Sequence, residues 1–145
     1  MIIYADTGFL CSLYTPDAHT ARAAAYMKRK AKTLPLTWLH QLEFRNALRL
    51  RVFRKEITGT QRDASLNLML ADTASGLLLR TALPMDAVTE ESERLSAQHS
   101  ERLGTRSLDI LHVAAALTLG HVEFLTFDHR QSALAKASGL KVPTL

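Results

Sequence analysis

A chain of 145 residues has the size of one domain with one core, and 47% hydrophobic against 22% charged residues excludes an intrinsically disordered protein. A formal charge of +4 with a pI of about 9.5 favours a polyanionic partner without separating nucleic acid from a membrane surface. The single cysteine, Cys11, excludes an internal disulfide, fits a reducing compartment and, lying in an apolar stretch, reads as a small core residue.

Met1–Ala5 is an apolar run that predicts a strand, with no basic region, signal-length apolar stretch or cleavage pattern. Asp17 opens an alanine-rich helix that ends in a basic tip near Lys30, and Leu34–Leu36 predicts a second strand. Thr37 is placed to cap a helix reaching about Lys55, and Thr60 to cap another reaching about Ala71. Leu77–Leu83 supplies a third strand. A polar helix then runs from near Asp86 to Gly104, followed by an almost wholly apolar helix from Ser107 to Leu119, closed by Gly120. Val122–Phe127 is the fourth strand, a short helix after Arg130 ends at Gly139, and Leu140–Val142 is a candidate edge strand.

Strands that alternate with helices pair in parallel, because parallel neighbours need long crossover connections. The expected fold is therefore α/β: a single domain over residues 1–145, a three-layer α/β/α sandwich around a central parallel sheet of four to five strands. No segment approaches the roughly 20 apolar residues of a membrane span, so a cytoplasmic protein without membrane contact is expected.

Asp6 and Asp128 each follow a strand directly and stand at its carboxyl end, the edge at which open parallel α/β sheets bind ligands. A lone acid there, such as Asp6 before Thr7 and Gly8, would read as a helix cap; two in matching places point to a site. Glu43 falls on the stripe of Leu39, Leu42, Ala47 and Leu50, and Asp109 has Val113 and Ala116 behind it at helical spacing, so both are expected to face inward. A buried carboxylate needs a cation, a hydrogen-bond donor or a proton. Arg45, Arg49, Arg80 and Arg106 are candidate partners. Four acids drawn from two strand ends and two helix faces are more simply satisfied by one hard divalent cation, Mg²⁺ or Mn²⁺, which takes oxygen ligands.

Four segments carry a resemblance: Ile-Ile-Tyr-Ala-Asp-Thr at the start, Leu-Glu-Phe-Arg-Asn-Ala-Leu around Glu43, Arg-Ser-Leu-Asp-Ile-Leu-His-Val-Ala-Ala-Ala around Asp109, and Phe-Leu-Thr-Phe-Asp-His-Arg-Gln around Asp128. In order and spacing the chain resembles the PIN-domain ribonucleases, and most nearly the VapC-type toxins of bacterial toxin–antitoxin pairs. The resemblance implies Asp6, Glu43 and Asp109 as the core metal ligands, Asp128 completing the acidic pocket directly or through water, and Thr7 orienting Asp6. It implies hydrolysis of RNA phosphodiester bonds with Mg²⁺ or Mn²⁺, a homodimer, and an antitoxin whose peptide covers the pocket. Gly8, where Ser or Asn is common, and Gln131, where some relatives carry another acid, depart from the pattern.

Arg45 and Arg49, one turn apart, are candidates for holding RNA phosphates, against the plainer reading of a solvated basic helix end shared with Arg51, Arg54 and Lys55. His112, one turn after Asp109, reads as a core histidine bonded to a neighbour, and no Cys and His pairing has zinc spacing. Leu66, Leu68, Met69 and Leu70 give one helix more apolar surface than a core stripe needs, which suits a partner surface. The rival functions are a catalytically silent PIN-like module that binds RNA or an antitoxin, and a receiver-like Mg²⁺-binding signalling domain. The receiver reading lacks the adjacent acids after the first strand and the lysine after a late one, since His129 and Arg130 follow Asp128.

Overall fold

The computed structural model describes residues 2–30 and 33–145; Met1, the first residue of the first expected strand, lies outside them. Its elements in chain order are β1 (Ile3–Ala5), α1 (Thr7–Tyr14), α2 (Thr20–Lys30), β2 (Leu34–Leu36), α3 (Trp38–Phe53), α4 (Gly59–Ser75), β3 (Leu78–Arg80), α5 (Met85–Leu103), α6 (Ser107–Thr118), β4 (Glu123–Leu125) and α7 (His129–Ala137). They fall into two compact units, one of Met1–Asp6 with Ala82–Leu145 and one of Thr7–Thr81.

In the first unit β1 and β4 pair in parallel, with Tyr4 opposite Phe124 and Ala5 opposite Leu125. A parallel bridge between Glu123 and Lys141 lies where the edge strand was expected. The core gathers Tyr4 and Phe124 from the strands, Val88 and Leu95 from α5, Ile110, Val113 and Ala114 to Ala116 from α6, and Leu134 and Ala135 from α7. Three successive alanines explain how α6 can be buried nearly all round: small side chains let neighbouring elements approach its backbone closely. Tyr4 stacks on Phe124 with ring centroids 5.5 Å apart, so the strand register also aligns the largest rings of the core. α5 ends on Gly104 at φ 64, a left-handed conformation that glycine adopts without the Cβ penalty.

In the second unit β2 and β3 pair in parallel, with Leu34 opposite Leu78 and Leu36 opposite Arg80. Two helices start on complete capping boxes. Thr37 and His40 close the first turn of α3, and Thr58 and Gln61 that of α4. The α4 cap is thus Thr58 rather than Thr60: Thr58 has Gln61 three residues on, long enough to reach back to the cap N–H, where Thr60 has the shorter Asp63. α1 was not predicted, since Gly8, Cys11 and Ser12 are poor helix formers. Burial of Phe9, Leu10 and Tyr14 outweighs that propensity, with Phe9 edge-on to Tyr26 and Tyr14 edge-on to Phe44.

The α/β class and parallel pairing are as expected. Among the described residues the hydrogen bonds form two pairs, β1 with β4 and β2 with β3, rather than one continuous sheet of four to five strands. Each strand is only 3 residues long, so each ladder is short. No helix among the described residues is long and apolar enough to cross a membrane.

Candidate active site

The ladder of the first unit delivers the first acid. Asp6 donates its backbone N–H to the Leu125 carbonyl at 3.0 Å, so pairing with β4 persists to the residue that carries the carboxylate. Asp6 is buried, and its Oδ2 accepts the Thr126 hydroxyl at 2.5 Å. Thr126 Oγ1 in turn accepts the Asp128 N–H at 3.0 Å. Asp128 caps α7, its Oδ1 accepting the Gln131 N–H at 2.9 Å. Asp128, read from the sequence as a strand-end acid, is thus a helix cap, and its side chain is 45% exposed.

Asp109, in the first turn of α6, has a side chain 14% exposed. Arg106, the N-cap residue of that helix, donates from Nε to Asp109 Oδ2 at 3.2 Å, and its Nη2 lies 3.9 Å from Asp128 Oδ2. The hydrogen bond to Asp109, with the charges of Asp109 and Asp128, raises the pKa of a guanidinium that is already always protonated. The linked set in this unit is thus Asp6, Thr126, Asp128, Arg106 and Asp109.

Gln131 adjoins this set through its backbone N–H, but its side chain stands apart. In a capping box the third helical residue accepts the N-cap N–H, as Gln61 does for Thr58 at 2.8 Å. At α7 Thr126 has taken that N–H, and Gln131 Oε1 is left buried without a hydrogen-bond partner.

In the second unit Thr7 donates its hydroxyl to Glu43 Oε1 at 2.9 Å. Thr7, expected to orient Asp6, thus serves Glu43, and Thr126 serves Asp6. The buried stripe of α3 is Leu39, His40, Phe44 and Leu48, while Leu42 and Leu50 are 60% and 40% exposed. Glu43 sits half-buried beside that stripe and not at its centre. The expected stripe failed because leucines on both faces of α3 hide the true period. Arg45 and Arg49 line a cleft with Leu48, Arg62, Asp63 and Leu66, and Arg45 Nη1 donates to Gln41 Oε1 at 3.2 Å.

His112 is a core residue as expected, buried, with Nδ1 2.8 Å from the Tyr4 hydroxyl. Trp38 is exposed and Met69 is buried, while Leu68 and Leu70 are exposed on α4. Thr126 is the functional residue that sequence reasoning missed. Its one signal in the sequence was position: it is the first hydroxyl after β4, two residues before Asp128.

Among the described residues no three His, Cys, Asp or Glu side chains are gathered closely enough to hold a metal ion by themselves. Two carboxylates drawn to one cationic group are present in Asp109 and Asp128. Mg²⁺ is commonly held by one or two carboxylates together with waters and substrate phosphates. An all-oxygen pair whose present counter-charge is a guanidinium fits such an ion.

No family model matches the sequence, and no curated protein matches it. Solved structures do. The VapC20 toxin of Mycobacterium tuberculosis, which cleaves the sarcin-ricin loop, is 20% identical with a TM-score of 0.70 over 98% of this chain and 99% of its own. VapBC2 of Rickettsia felis, bound to a DNA fragment from its promoter, is 14% identical with a TM-score of 0.70 over 99% and 98%. FitAcB of Neisseria gonorrhoeae is 16% identical with a TM-score of 0.62 over 99% and 97%. Identities this low establish the fold alone, and that fold is the one shared by the PIN-domain VapC toxins.

Proposed function

We propose that this chain is a metal-dependent endoribonuclease, the toxin of a toxin–antitoxin pair, with Asp6, Asp109 and Asp128 as its cation-binding acids and Glu43 as the further acid the resemblance adds. The observation that carries the reading is the linked set Asp6, Thr126, Asp128, Arg106 and Asp109, carried on a fold shared with a sarcin-ricin loop cleaving toxin. A bound Mg²⁺ or Mn²⁺ would supply a water of lowered pKa and positive charge against the phosphodiester transition state. The protein's own residues prepare the place. Thr126 fixes the Asp6 carboxylate, α7 fixes Asp128 through its cap, and Thr7 fixes Glu43.

Arg45 and Arg49 are assigned to RNA phosphates, which they would hold by charge and not by base sequence. VapBC2 and FitAcB support an antitoxin as partner. A cytoplasmic homodimer away from the membrane completes the reading.

Purified protein should cut an RNA hairpin carrying a sarcin-ricin loop when Mg²⁺ or Mn²⁺ is present. Chelation should stop it, and Asp109→Asn should lower the rate at least about a hundredfold. Equal cutting by the wild type and by both Asp6→Asn and Asp109→Asn would identify a contaminating nuclease and reject the site. The ion pairs of Arg106 favour a second reading, a module that binds RNA or antitoxin without cutting. Retained RNA binding with no cleavage under any metal would select it.

A further inference from the structure

Arg106 occupies a position that helix physics disfavours. An N-cap residue normally accepts hydrogen bonds from the first turn, and Ser, Thr, Asp or Asn serve best; a positive charge there also opposes the positive end of the helix dipole. Arg106 is the N-cap residue of α6, with extended backbone and no side-chain capping bond. Its neighbour Ser107, a good cap by type, is instead the first helical residue. Where a local rule is broken without local gain, the gain is to be sought in a site. Here it is the pair of carboxylates, Asp109 three residues on and Asp128 from the start of α7, that the one guanidinium meets.

We infer that Arg106 is a displaceable counter-cation: it neutralises Asp109 and Asp128 until a divalent ion enters, and the ion must compete with it. This rests on the ribonuclease reading above. Three features make the arginine exchangeable and not structural. Its side chain is 65% exposed, so the guanidinium can move into solvent without crossing the core, and the entering ion takes over the charge of the less exposed Asp109. Its contacts at 3.2 and 3.9 Å are a single hydrogen bond and a looser ion pair, not a two-pronged clasp of either acid. Exposed pairs of this kind are weak, weak enough for a doubly charged ion to replace them. The consequence is regulatory: the acids stay paired and unrepelled when the ion is scarce, and the site is charged only above a threshold concentration.

The experiment is calorimetric titration of Mn²⁺ into wild type, Arg106→Gln, Arg106→Lys and Asp109→Asn. Because a surface pair is lost at most, Arg106→Gln should bind Mn²⁺ about two- to fivefold more tightly. Arg106→Lys should stay close to wild type, and Asp109→Asn should bind at least about tenfold more weakly. Unchanged or weaker binding by Arg106→Gln, with Asp109-dependent binding intact in the wild type, would overturn the exchange and leave the nuclease reading standing. No Asp109-dependent binding in the wild type would remove both.

Discussion

Thr126→Val tests the hydrogen-bond relay between the two strand-end acids. Valine matches threonine in shape, so packing is kept while two bonds disappear: donation to Asp6 Oδ2 at 2.5 Å and acceptance of the Asp128 N–H at 3.0 Å. A hydrogen bond to a carboxylate contributes about 1.5–3 kcal/mol and a neutral one about 0.5–1.5 kcal/mol. The second loss is recoverable. With the hydroxyl gone, the Asp128 N–H becomes available to Gln131 Oε1, the buried acceptor that has no partner in the wild type, and a complete capping box forms. The net cost should therefore be about 1.5–3 kcal/mol and not the sum of both bonds. Gln131→Met reports the exchange by a change of sign. In the wild type it removes a buried orphan and should be neutral or slightly stabilising; in the Thr126→Val background it removes a working cap and should cost about 1 kcal/mol. Urea unfolding at pH 7 of the four proteins, compared at constant m-value, gives the coupling energy. A Thr126→Val effect below about 0.5 kcal/mol, or the same Gln131→Met effect in both backgrounds, would refute the relay.

In the other unit, Tyr14 is buried and donates its hydroxyl to Asp72 Oδ2 at 2.7 Å. Burial first and the Asp72 contact second hold it protonated well past its ordinary range. Tyr14→Phe should lower unfolding stability by about 1.5–3 kcal/mol, without a pH-dependent component between about pH 6 and pH 9, where the carboxylate stays ionised and the phenol protonated. His121 sits with its ring centroid 5.7 Å from that of Tyr4, and burial pulls its pKa down against a raising backbone bond from Ile3. The unfolded state then binds more protons, so this stability is present above the unfolded value of about 6.5 and is lost as pH falls through it toward the lower folded value. The melting temperature of His121→Gln should drop less than that of the wild type between pH 7.5 and pH 5.5; parallel curves would remove the assignment.

Hydrophobic runs and helix punctuation were enough to locate β2 exactly at Leu34–Leu36, the cap at Thr37 and the glycine end of α5. These depend on local energies: strand-forming runs, a hydroxyl before a first turn, a left-handed residue after a last one. The carboxylate after β1 was legible for the same reason, since a residue that follows a strand sits at its edge whatever surrounds it; β4 ends at Leu125, so Asp128 does not follow it directly but lies past Thr126 and Phe127 as the cap of α7. Tertiary structure decided the rest. α1 forms because Phe9, Leu10 and Tyr14 are buried, against its own propensity. The inward face of α3 runs through His40, Phe44 and Leu48, because apolar residues on both faces left the stripe undetermined until neighbours covered one of them. That Thr126 serves Asp6 across 120 positions, and that Arg106 meets two acids at once, depends on which segments lie side by side. Chain-local energies carry no record of that.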